Sequence, residues 1–153
     1  MPWPSSELIV RFSRPENETL LRHLKTHSPS AHSDLGILLF KAAKELPGTA
    51  VFGPNVTACS YVFLHTAAGV AFALAVGMRT LAFRLAEPER TAALENNARP
   101  FDALGKDWIE IDPFDPSRNQ VEMAALLRKL FNAAFSYASA GGFEPTNLGI
   151  SQA

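Results

Sequence analysis

Three consecutive apolar runs between Val56 and Leu85 dominate the hydrophobic pattern. In Thr80–Leu85, Leu81, Phe83 and Leu85 alternate with Thr80, Ala82 and Arg84, which predicts a strand with one buried face. Val70–Val76 places Val70, Phe72, Leu74 and Val76 on one side and Ala71, Ala73 and Ala75 on the other, so both faces are apolar and one is flat. A flat alanine face suits a helix lying across a central strand, because side-chain size limits interaxial approach. Ala58–Thr66 completes the set. The connections, Ala67-Ala68-Gly69 and Gly77-Met78, are too short for a parallel return, which needs about a dozen residues, so an antiparallel meander is expected.

Helical spacing flanks this meander. Pro15 reads as a first-turn residue, Glu16 and Glu18 follow where the helix dipole favours acids, and Leu20, Leu21 and Leu24 form a buried stripe before Ser28-Pro29-Ser30. Ser33 is the expected N-cap of a second helix carrying Leu35, Leu38, Leu39, Ala42, Ala43 and Leu46, ended by Pro47-Gly48. Both helices are expected to help cover the alanine face. Phe52-Gly53-Pro54-Asn55 reads as turn chemistry, and Glu7–Phe12 fits either an edge strand or a first helical turn. Beyond the meander, a helix is expected from Glu87 to about Asn97, a fourth strand at Trp108–Ile111, held to an edge by Pro113 and Pro116, and a long helix over Asn119–Ser139. The fold class is α+β, an antiparallel meander sheet with helices packed mainly on one face.

Composition adds bounds. The 153 residues fit a single domain, residues 1–153, with an ordered core from about 7 to 140 and a tail at 141–153 after Gly141-Gly142. Fourteen basic and 15 acidic residues leave a net charge of -1, too balanced for a dominant attraction to nucleic acid or anionic membrane. The single cysteine, Cys59, excludes an intrachain disulfide and makes a reducing cytoplasm the expected setting. No signal peptide is read at the N-terminus, and the weakly polar run Ala67–Val76 is far short of the roughly 20 residues that span a bilayer.

Few residues carry recognisable chemistry. His23 and His27 share a helix face, but neither acid nor cysteine completes a metal set with them or with His32, and no metal or cofactor is expected. His65 stands near the end of a strand, where it can serve as a base, with Arg84 as an anion clamp and Asp107 as its partner. Cys59 would lie ~20 Å from His65 along the strand, which excludes a direct dyad. Asp102, Asp107, Glu110, Asp112 and Asp115 form the densest acidic group; Pro113 and Pro116 mark Asp112 and Asp115 as turn residues, and the spacing is not that of a calcium loop. Gly53, Gly69 and Gly77 are isolated turn glycines rather than a phosphate loop, and there is no serine nucleophile elbow.

The run Val51-Phe52-Gly53-Pro54, the strand Leu81-Ala82-Phe83-Arg84-Leu85, the pair Pro100-Phe101 and the later Trp108, followed by an alanine-rich terminal helix, resemble the small α+β domain of TfoX N-terminal-like and MmcQ/YjbR-like proteins. Val51 stands where that pattern has methionine, and the stretch from Gly53 to Val70 is longer than its compact hairpin. The resemblance covers about Val51 to Ala138. It implies one sheet with packed helices, no catalytic residues to transfer, and a binding or regulatory role.

The reading that follows is a non-catalytic binding or regulatory domain of unknown partner, recognising it through Phe101, Trp108 and Phe114, aromatics with large contact area at modest entropy cost. A homodimer is expected through the terminal helix, with Met123, Leu127, Phe131 and Phe135 as the interface, since its apolar width exceeds one core-facing stripe. The alternative is a small-molecule enzyme using His65, Arg84 and Asp107. A further alternative, a weak nucleic-acid-binding accessory protein, rests on Arg79, Arg84, Arg90, Arg99 and Lys106, which have acids interleaved.

Overall fold

The computed structural model describes residues 8, 11–53 and 60–140. The expectations for Met1–Ser6, for the beginning of the Ala58–Thr66 run with Cys59, and for the tail lie outside the described residues. Leu8, Arg11 and Phe12 are helical, the helical alternative for the described residues of the run after Glu7. A 3-10 turn at Pro15–Asn17 feeds helix α1, Glu18–His27. Ser28 stops it in the left-handed conformation, φ 41°, with its N–H donating to Leu24 O at 2.9 Å.

Helix α2 spans Ser33–Glu45, and its N-cap is His32 rather than Ser33. The Nδ1 of His32 accepts the Asp34 N–H at 3.1 Å, an imidazole doing what a hydroxyl was expected to do one residue later. Four strands follow: β1 Thr49–Phe52, β2 Val62–Thr66, β3 Ala71–Val76 and β4 Thr80–Arg84. Then come helix α3, Glu89–Glu95, strands β5, Arg99–Pro100, and β6, Trp108–Ile111, and helix α4, Gln120–Ser139. The sheet has six antiparallel strands in the order β1-β2-β3-β4-β6-β5. No helix among the described residues is long and apolar enough to cross a membrane.

The antiparallel meander is present as expected, although its first strand begins at Val62 rather than near Ala58, and the sheet requires three further corrections. Thr49–Phe52, read partly as turn, is a strand paired to β2, because Pro47-Gly48 reverses the chain straight into the sheet. Trp108–Ile111 is not the edge; the two-residue β5 lies outside it. Alternation in β3 breaks at Phe72, since Leu64 pairs with Ala73 while His65 pairs with Ala71, leaving Phe72 as the extra residue of a bulge.

Both faces of the sheet are covered. On one, α2, α3 and α4 bury Leu35, Leu39, Leu127, Phe131 and Ala134 against Leu64, Ala73, Ala75, Phe83 and Ile109. The flat pair Ala73 and Ala75 does lie under helices there. On the other, Leu8, Phe12, Leu20 and Leu24 close over Phe63, Leu74, Ala82 and Trp108. Of helices α1 to α4, three therefore share one face, but α1 does not join α2 on the alanine side. A buried asparagine fixes this second layer: Asn17 Nδ2 donates to Phe12 O and Gly69 O at 2.9 and 2.8 Å, and its Oδ1 accepts the Ala71 N–H at 2.9 Å. Gly69 sits at φ +91°, so the turn needs glycine for its conformation.

Candidate functional site

The β2 strand carries His65 into the layer beneath Phe12. Its ring meets Phe12 edge-on at 4.8 Å and Phe63 at 6.1 Å, and Nδ1 donates to Thr66 O at 2.8 Å. Nε2 is buried without a hydrogen-bond partner. Burial pushes the imidazole pKa below its ordinary value, opposed by the bond to Thr66 and reinforced by the nearby Arg11. Enclosed by aromatic rings, His65 bonds the Thr66 carbonyl and, among the described residues, makes no hydrogen bond to the polar side chain that a catalytic base needs. The expected trio is not assembled.

Arg84 and Asp107 do meet, with Tyr137 of α4 as a third member. Arg84, with 3% of its side chain exposed, holds Nη2 3.7 Å from Asp107 Oδ2 and its guanidinium carbon 4.6 Å above the Tyr137 ring. Tyr137 OH donates to the same Asp107 oxygen at 3.1 Å. Burial raises the phenol pKa, as does the Asp107 carboxylate, against an opposing pull from Arg84. The group joins the end of β4, the loop before β6 and the last turns of α4.

Trp108 is not a recognition surface. With both faces of the sheet covered, its place in β6 turns it into the second layer, where it is 2% exposed. Phe101 is half-buried against that layer and His23, and only Phe114 remains substantially exposed. Met123, Leu127 and Phe131 are buried within their own chain, and half-buried Phe135 packs on Phe72 at 5.6 Å. The terminal helix has wide apolar coverage because it packs on the sheet with α2 and α3 on either side, which removes these four residues as a reason for intersubunit contact.

What does converge is a cleft of about 480 Å³ at the head of α4. Leu38 of α2 with Met123 and Leu127 of α4 forms its floor, Phe114 and Pro113 its wall, and Asp115, Arg118, Asn119 and Gln120 its mouth. The wall is held by turn chemistry. Asp112 Oδ1 accepts the Phe114 N–H at 2.8 Å, and Asp115 Oδ1 accepts the Ser117 N–H and hydroxyl at 2.9 and 2.7 Å. Those bonds depress the Asp115 pKa. Arg79 braces the outside through Asp112 at 2.8 Å and Phe114 O at 2.9 Å, while Arg118 Nη2 donates to Asn96 O at 2.8 Å. Asn119 caps α4 through the Glu122 N–H at 2.8 Å. Alongside Lys41, Ala124 and Arg128, a smaller crevice continues between α2 and α4.

Several other arginines are partnered within the fold. Arg79, Arg90 and Arg99 lie within ion-pair distance of Asp112, Glu87 and Glu110, and the rings of His23 and His27 lie 4.8 Å apart, tilted 50° to each other. Among the described residues no three His, Cys, Asp or Glu side chains converge as a metal site. Compared with protein-family models, with curated proteins and with solved structures, the chain matches none.

Proposed function

We propose that this chain is a non-catalytic binding or regulatory domain whose ligand seat is the cleft between Leu38 and the head of α4. One observation carries the reading: an apolar floor of Leu38, Met123 and Leu127 opens through a mouth where Arg118 and Asp115 stand beside the exposed amides of Asn119 and Gln120. That composition suits a small molecule with an apolar body and a polar head, and the volume falls within the roughly 300–1,000 Å³ of small-molecule sites. Phe114, one of the aromatics singled out for recognition, lines it. The resemblance to the TfoX N-terminal-like and MmcQ/YjbR-like domain supports the same kind of role.

Anilinonaphthalene sulfonate, an aromatic body with an anionic head, is the probe. Its fluorescence should rise saturably with one site per chain, and Ala124→Trp, which fills the cleft from an exposed helix position, should abolish the rise. Absence of saturable binding, or binding indifferent to Ala124→Trp, would overturn the reading.

A further inference from the structure

The two edges of the sheet are built differently. β5 ends it with exposed Arg99 and Pro100, a charge and a residue without an N–H, both of which discourage another strand from pairing. β1, Thr49-Ala50-Val51-Phe52, has neither. The Thr66 N–H donates to Val70 O at 3.0 Å, so Thr66 turns its backbone toward β3, and its partner Thr49 faces away from β2. By alternation Ala50 and Phe52 bond β2, while Val51 points its N–H and C=O outward. The Thr49 N–H is taken by Leu46 O at 3.2 Å. No other described strand pairs with this edge.

Helix α2 adds an apolar flank above the same edge. It lies over β1, β2 and β3, whereas α4 lies over β2, β3 and β4. Leu38, Lys41, Ala42 and Glu45 line the crevice toward α4, which leaves Phe40 and Ile37 on the other flank of α2, where they line a hollow with Gly36, Ser60 and Val62 at the start of β2. Phe40 is 43% exposed and Ile37 61%. A strand edge that no other described strand pairs with and two exposed large apolar side chains thus occupy one side of the molecule.

We propose that this edge and flank form an interface with a second copy of the chain, β1 pairing antiparallel with its counterpart about a two-fold axis at Val51, so that two six-stranded sheets run on as one. Self-pairing fits the groups available: each Val51 N–H donates to the Val51 carbonyl of the other copy, leaving neither bare. Charge fits as well. The same axis sets the two α2 helices antiparallel, bringing Asp34 in the first turn of one toward Lys44 in the last turn of the other, with unlike charges facing twice. The inference is independent of the cleft, which lies on the α4 side of α2.

Light scattering and hydrogen exchange on the intact chain test it. The expected mass in the micromolar range is twice 16.6 kDa, with the Val51 amide protected increasingly as concentration rises. Val51→Pro removes an outward donor and no internal sheet bond, and Ala50→Lys sets two cations on one sheet face diagonally across the axis; each should give a chain that is folded by circular dichroism and monomeric by light scattering. A monomeric mass throughout that range would overturn the proposal, leaving the edge to an extended segment of another protein. So would a dimer that both folded variants retain, or a Val51 amide whose exchange ignores concentration.

Discussion

The Asn17 amide donates to the Gly69 carbonyl at 2.8 Å across 52 residues of sequence, tying the entry of α1 to the β2–β3 turn. With its bonds to Phe12 O and Ala71 N, the side chain, fully buried, satisfies three backbone groups that no water reaches. Asn17→Ala strands them, at about 1–3 kcal/mol for each buried group left unpaired. The expected loss is ~3 kcal/mol or more, read from the urea midpoint at unchanged slope.

His65 predicts a pH dependence of stability. Its folded pKa lies below the unfolded value of about 6.5, so the unfolded chain takes up the proton first. The stabilisation is complete above about pH 6.5 and is lost as pH falls from there through the folded pKa. His23 shifts in the same direction, through burial and His27. Urea midpoints measured from neutral to mildly acid pH should fall for the unmodified protein and fall less for His65→Phe.

Phe131 stands edge-on to Phe83, ring centroids 4.9 Å apart, beneath the helical layer. Phe131→Ala should cost about 3–5 kcal/mol by transfer loss and cavity formation. Phe131→Asp buries an unpaired charge and should unfold the domain rather than change its oligomeric state. Near-ultraviolet circular dichroism with light scattering separates those outcomes.

Ser28 holds the left-handed conformation with a Cβ that this region disfavours. Ser28→Gly should therefore raise stability by about 1 kcal/mol, seen as a higher urea midpoint. A lower midpoint would show that the serine side chain contributes more than its backbone strain costs.

Much of the sheet was legible because alternation and short glycine turns are local signals. Leu81, Phe83, Ile109 and Ile111 face where their spacing puts them. β1 was not legible, since four residues between Pro47-Gly48 and Gly53-Pro54 are too few to show a period, and β5 is two residues long. The site was legible only in parts. Phe114, Met123 and Leu127 stood out as apolar, and Asp112 and Asp115 as turn formers, but their convergence with Leu38 depends on α2 lying beside α4. Trp108 misled because an aromatic in a short strand reads as exposed until a second layer, built from Leu8, Phe12 and α1, is known to cover it. Arg84 and Asp107 were expected in one pocket, but nothing in the spacing announced Tyr137, whose hydroxyl reaches Asp107 from 30 residues away across a helix and a loop.

The single extra residue at Phe72 divides bulk between the two sides of the sheet. Under unbroken alternation with Leu74 and Val76, its phenyl ring would enter the layer that already holds Phe12, Phe52 and Phe63, whose rings lie about 5 Å apart. Phe135 would then face alanines. The bulge instead sends the ring across the sheet to Phe135, so each layer receives the volume that its helices leave to be filled, and one backbone irregularity sets the thickness of both.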